Sequence, residues 1–170
     1  MTGGSVGVLY DYYRAADRQA AMAEPDRARA VSTSPAFDAV DAKGIDPGVI
    51  LGQLVALIRD VPYDLDLIRT ITLYPPPEGG PNSLEEWEAL PEDSPYKEGP
   101  CIEELPADIR DSLASVPDAR LADLAERWGQ IEEFFGRPDE GYLTTLIVEL
   151  RDLAQRAQAE DQMIYCWTCV

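Results

Sequence analysis

Val6-Gly-Val-Leu-Tyr-Asp-Tyr-Tyr13 places Val6, Val8, Tyr10 and Tyr12 on one face at a period of two. β-Branched and aromatic residues at that period mark a strand with a buried face. After a turn at Glu160-Asp161, Met163 to Val170 reads as a strand at the far end of the sequence. Leu67 to Tyr74 reads as a third strand, with Ile71 and Leu73 as its core. Pro75-Pro76-Pro77 stops it, because proline cannot donate to a ladder.

Helices fill the intervals. Arg14 to Met22 is alanine-rich, with Asp17 as candidate N-cap and Pro25 as the interruption, and Val31 to Pro35 reads as loop. The clearest helix start is Asp46-Pro47. The aspartate can accept from free backbone N–H groups, and proline fits the first helical position. Leu51, Leu54, Val55 and Ile58 follow at helical spacing, and Val61-Pro62 ends the run. Gly52 inside it costs about 1 kcal/mol relative to alanine, which points to close packing there. Pro106 opens a helix with Ile109, Leu113 and Val116 inward. Asp118 caps another, in which Leu121, Leu124, Trp128, Ile131 and Phe135 form one apolar face before Gly136-Arg137-Pro138 breaks it. The last helix runs from about Gly141 to Ala159, burying Leu143, Leu146, Ile147, Leu150, Leu153 and Ala157. This order predicts an α+β fold: a small, mostly antiparallel sheet covered by amphipathic helices, in a single domain over residues 1–170. A chain of 170 residues buries enough surface to need neither a disulfide nor a structural metal.

Charge is the outlier. Thirty-two acidic residues face fourteen basic ones with no histidine, for a formal charge of −18. Such a field repels phosphate backbones and anionic membranes and draws in basic partners, though acidity alone argues only for solubility. The distribution says more than the total. Residues 75–104 form a long, acidic, Pro- and Gly-rich loop, and a loop of that length inside a compact domain is functional or disordered. Within and just beyond it lie Glu85, Glu86, Glu88, Glu92, Asp93, Glu98, Glu103, Glu104 and Asp108, with Lys97 as the one base. Ser83 followed by Glu86 matches a capping box, which predicts a short helix to Ala89 carrying Trp87. The candidate partner-binding residues are therefore Glu85, Glu86, Trp87, Glu88, Glu92, Asp93 and Glu98.

Several chemistries are excluded or weakened. Without histidine there is no Ser-His-Asp or Cys-His catalysis, no His-ligated metal, and no general base of the usual kind near neutral pH. Cys166-Trp-Thr-Cys169 is a C-x-x-C, but in a strand, residues three apart point to opposite faces, so the sulfurs are held apart. With only Cys101 in addition, a four-cysteine zinc site cannot be completed. The pairs Glu85-Glu86, Glu103-Glu104 and Asp64-x-Asp66 are the residue types of glycoside hydrolysis or Mg²⁺ binding, but neighbouring acids are commonly a solvated face. Gly3-Gly4 and Gly79-Gly80 match no nucleotide-binding pattern. Lys43, flanked by Asp41 and Asp46, reads as an ion pair, and Tyr10, Tyr12 and Tyr13 as packing. No catalytic residue, metal ligand or cofactor is expected. The start has no basic region followed by an apolar run, so it does not read as a signal peptide. No stretch is apolar enough to span a membrane. With an odd cysteine count, the expected location is the cytoplasm.

Leu9-Tyr-Asp-Tyr-Tyr-Arg14, Phe37-Asp-Ala-Val-Asp-Ala-Lys43 before the helix at Val49 to Arg59, and Glu149-Leu-Arg-Asp-Leu-Ala-Gln-Arg-Ala157 followed by Met163-Ile-Tyr-Cys-Trp167 together resemble the YfbM-like family, a bacterial domain of unknown function. The resemblance covers most of the chain. It implies a fold and brings no activity or site.

Three functional readings follow. The first is a non-enzymatic binding protein, of the immunity or inhibitor kind, whose acidic loop meets a basic protein partner with Trp87 as anchor. The second is a small enzyme using carboxylate or cysteine chemistry. It requires a pocket in which acids converge and one of them has a raised pKa. The third is an acidic mimic of nucleic acid, which requires carboxylates spaced along an elongated face.

Overall fold

The computed structural model describes residues 8–23, 37–136 and 138–169. Two strands from opposite ends of the sequence lie side by side at its centre. β1 (Leu9–Ala15) and β5 (Met163–Cys169) run antiparallel, from Leu9 opposite Cys169 to Ala15 opposite Met163. With β2 (Ala39–Asp41), β3 (Ile71–Tyr74) and β4 (Cys101–Glu104) they form a five-stranded sheet of order β2-β1-β5-β4-β3. Every neighbouring pair is antiparallel.

The central strands are buried on both faces, and adjacent tyrosines divide between them. Tyr12 joins the main core, in which α2 (Gly52–Arg59), α4 (Ala107–Ala114), α5 (Leu121–Trp128) and α6 (Glu140–Ala159) cover one face. Tyr13 joins a smaller cluster on the other face, with Ile102, Tyr165, Trp167 and Ala21 of α1 (Arg18–Met22). This is an α+β fold with most of its helices on one side of the sheet. Among the described residues, no helix is long and apolar enough to cross a membrane.

The local devices act as their chemistry requires. Asp46 accepts from Val49 N at 2.8 Å and Ile50 N at 3.1 Å, and Pro47 opens a π-helical turn, Pro47–Leu51, that runs into α2. The turn is tied to the core: the indole of Trp128 donates to Ile50 O at 2.9 Å. A Cβ on Gly52 would sit 3.0 Å from the Tyr63 ring, so the glycine there admits an aromatic face. Asp17 caps α1, and Asp139 caps α6. Asp38, just before β2, accepts from Arg156 Nε at 2.7 Å and Arg14 Nε at 2.8 Å, fastening β2 to α6 and β1. These bonds, with Arg156 foremost, hold its carboxyl below the usual range.

Five readings change. Asp118 does not cap α5: it opens a short 3-10 turn, Asp118–Arg120, with Pro117 at the cap position and no side-chain cap bond, and its carboxylate pairs with Arg151 at 2.6 Å instead. β1 continues through Ala15, so the helix after it begins only at Arg18, where Asp17 releases the chain from the ladder. β3 is shorter than Leu67 to Tyr74, and Ile71 is exposed instead of core, because β3 is the edge strand. The stretch 101–104, read as the end of the acidic loop, is strand β4, bonded to both β3 and β5. Phe135 does not extend the apolar face of α5. That helix ends at Trp128, and Phe135 sits at a positive φ of 46° with 97% of its surface exposed. Phe134 beside it packs edge-on against Trp128 instead, with ring centroids 5.5 Å apart. Val6, Pro25 and Val31 to Pro35 lie outside the described residues.

Candidate functional site

Two acidic regions emerge from this frame. The first is the connection between β3 and β4. It is a built lobe, not a loose loop. Ser83 caps a short helix, α3 (Leu84–Ala89), by accepting from Glu86 N at 3.1 Å, while the Glu86 carboxylate reaches back to Asn82 N at 2.6 Å. The reciprocal pair is the capping box read from the sequence, displaced by one residue at its return bond. Tyr96 donates to Pro76 O at 2.6 Å and packs over Gly80, where a Cβ would lie 2.9 Å from the ring. The buried Ser94 holds a tight turn by accepting at its carbonyl from Lys97 N and Glu98 N, both at 2.9 Å.

Lys97 organises the lobe. Its side chain is only 7% exposed. The ammonium donates to Leu90 O at 2.8 Å, lies 4.8 Å from the centroid of the Trp87 ring, and pairs with Glu92 at 3.6 Å. The base of this stretch is thus turned inward as a structural cation, spanning α3 and the chain beyond it. The acids are turned outward: Glu85, Glu86, Glu88, Glu92, Asp93 and Glu98 are all exposed. Leu84 at 72% and Trp87 at 43% exposure add an apolar strip on the same short helix. The structure therefore places Glu85, Glu86, Trp87 and Glu88 on α3 and Glu92, Asp93 and Glu98 in the turns that follow it within the same lobe.

The second region was not assembled by sequence reasoning. Glu103 and Glu104, adjacent in β4, point to opposite faces of the sheet. Glu104 is buried and takes a bidentate pair from Arg18, both bonds at 2.9 Å. Glu103 faces the helix side, where it lines a cavity of about 320 Å³ with Tyr10, Asp46, Pro47, Gly48, Thr70, Cys101 and Thr168. Burial raises the Glu103 carboxyl above its ordinary range, Thr70 opposes the rise by hydrogen bonding, and the nearby Asp46 charge adds to it. Burial also raises the Tyr10 hydroxyl, with Asp46 contributing. It pushes the Cys101 thiol up to about 11, with Glu103 contributing. A thiol so placed is protonated at neutral pH and is a poor nucleophile.

The cavity can accommodate positive charge far better than negative. None of its described lining residues is basic. An oxyanion forming there would meet two carboxylates and no cation, the reverse of what acyl or phosphoryl transfer needs. Sequence reasoning had each carboxylate separately, Asp46 as a cap and Glu103 as half of an acidic pair. Their convergence depends on β4 lying beside β5, and a four-residue strand leaves no periodic signal from which to place it.

The other candidates resolve structurally. Cys166 and Cys169 fall on opposite faces of β5, Cys166 in the main core and Cys169 against the smaller cluster, and no disulfide joins them to each other or to Cys101. Burial drives the Cys166 thiol far above its usual pKa. Asp64 accepts from Asp66 N at 2.7 Å, and Asp66 pairs with Arg69 at 3.4 Å, so that pair closes a surface turn. Compared with protein-family models, curated proteins and solved structures, the chain matches none.

Proposed function

We propose that this chain is a non-enzymatic binding protein whose acidic lobe, residues 75–100, receives a basic protein partner in the manner of an immunity or inhibitor protein. The observation that carries the reading is Lys97 drawn inside the lobe. With its cation used internally, the lobe presents an ordered carboxylate surface around the exposed Leu84 and Trp87. A preformed surface avoids the ordering cost that a disordered acidic segment would incur on binding. Complementary charge speeds encounter and makes it salt-sensitive, while a central aromatic supplies the desolvated contact.

The test compares the native chain with a lobe variant carrying Glu85→Gln, Glu88→Gln and Trp87→Ala. Proteins retained from the source cell at low salt are identified, and one retained by the native chain is purified and its association rate measured. The expected result is a rate that falls with added salt and falls at least about tenfold in the variant, since charge steering and an aromatic hot spot act together. Equal retention and equal rates for both chains would remove the lobe from any binding role.

The cavity at Asp46 and Glu103 favours a second reading, a small enzyme using carboxylate chemistry, because acids converge there and one has a raised pKa. The absence of a facing cation among its described lining residues ranks this reading below the first.

A further inference from the structure

The cavity carries an inference independent of the lobe. Its two carboxylates come from different elements, Asp46 from the cap of the π-helical turn and Glu103 from β4, and the hydroxyl-bearing Tyr10, Thr70 and Thr168 line the same cavity. Glu103 is a partly buried carboxylate, and among the described residues no lysine or arginine pairs with it. A carboxylate withdrawn from water needs a cation or several donors to offset the lost hydration, and the Thr70 hydroxyl is a weak substitute for a charge. Asp46 spends one lone pair of each oxygen on Val49 N and Ile50 N, which leaves further acceptor capacity on both.

We infer that this cavity binds the head of a compact organic cation, an alkylguanidinium or alkylammonium, between Asp46 and Glu103, with the surrounding hydroxyl oxygens accepting its remaining N–H groups. A divalent metal fits less well, because no group of three or more metal-ligating side chains is gathered among the described residues. An anion is disfavoured by both carboxylates. The head can belong to a free small molecule or to an arginine or lysine of a protein.

The test is a titration of the full chain, followed by backbone amide NMR, with propylguanidine, propylamine and the neutral propionamide. The cations are expected to give saturable shifts at Gly48, Thr70, Cys101 and Thr168, and propionamide none. Glu103→Gln is expected to weaken the apparent affinity about tenfold, the scale of one hydrogen bond to a charged group. Thr168→Val, which keeps the side-chain volume, is expected to weaken it several-fold and serves if Glu103→Gln does not fold. Glu85→Gln with Glu88→Gln in the lobe is expected to leave it unchanged, which separates this site from the binding reading above. Nα-acetylarginine amide distinguishes the sources. Binding as tight as that of propylguanidine assigns the head to a protein side chain, and a clear loss assigns it to a free small molecule. Shifts confined to residues 84–98, an equal response to propionamide, or unchanged titration of both cavity variants would overturn the assignment.

Discussion

The lobe and the cavity hold the same kind of side chain in opposite ways. In the lobe, carboxylates stand in water around one internal lysine, and the local fold rests on caps, turns and that lysine. In the cavity, Asp46 and Glu103 are partly withdrawn from water, and their positions depend on the sheet and on the helix that Asp46 caps. An acid on a self-contained lobe can change with little effect on the core. Asp46, which caps the turn that runs into α2, cannot. The contrast teaches that acidity in this chain has two origins, a surface presented outward and an open recess with half-buried walls.

The largest expected effect separates the two regions. Trp128→Ala removes a fully buried indole and its bond to Ile50 O, within the turn that follows Asp46. A loss of about 3–5 kcal/mol is expected, as for other aromatic truncations in cores, measured by denaturant unfolding. Amide exchange should open across 46–59 while 84–98 keeps its own protection. Loss of protection in both segments together would make the lobe part of the same cooperative unit.

A smaller effect works in the other direction. Lys97→Gln removes the ammonium from Leu90 O, the Trp87 face and Glu92. Local opening of 84–98 should become easier by about 2 kcal/mol, the value of a charged hydrogen bond lost from a largely buried position, with the global midpoint little changed. Hydrogen exchange checks it, and an unchanged lobe would show that the caps alone suffice.

The smallest effect depends on pH. Burial and the facing Asp46 raise the Glu103 carboxyl, and Tyr10, Cys101 and Cys166 also surround it as neutral groups. The folded state therefore favours the protonated acid. Its contribution is full below the ordinary carboxylate value of about 4.3 and is lost as pH rises through the raised folded value. Glu103→Gln should match the native stability near pH 4 and exceed it at pH 7, by less than about 1 kcal/mol once solvent screening is allowed for. Unfolding curves at the two pH values decide it, and a native chain more stable at pH 7 would reverse the sign.

Much of the frame was legible because long elements repeat their pattern. α6 buries all six residues that its spacing selects, and Asp17, Asp46 and Ser83 cap as their chemistry predicts. β2 and β4 were not legible, because strands of three and four residues contain too few alternations to stand out. Phe135 was misplaced because helical spacing continues past Trp128 in the sequence while the backbone turns at Gly129. The acidic residues of the lobe were visible as a cluster, but the inward role of Lys97 was not, since composition cannot tell a surface lysine from one wrapped by carbonyls. Glu103 and Glu104 show the same limit: one strand step gives one a guanidinium and the other a cavity.

The central place of β5 bears on how the molecule assembles. β1 and β4 touch the sheet's middle only through residues 163–169, so Leu9 must find Cys169 across nearly the whole chain. Pairing at such separation is slow, since loop closure precedes its reward. Until β5 docks, two strands present open edges of the sort that recruit other chains. Nascent or truncated forms lacking 163–169 would thus be the aggregation-prone ones, while the lobe, closed by its own short-range bonds, could be ordered before the sheet exists.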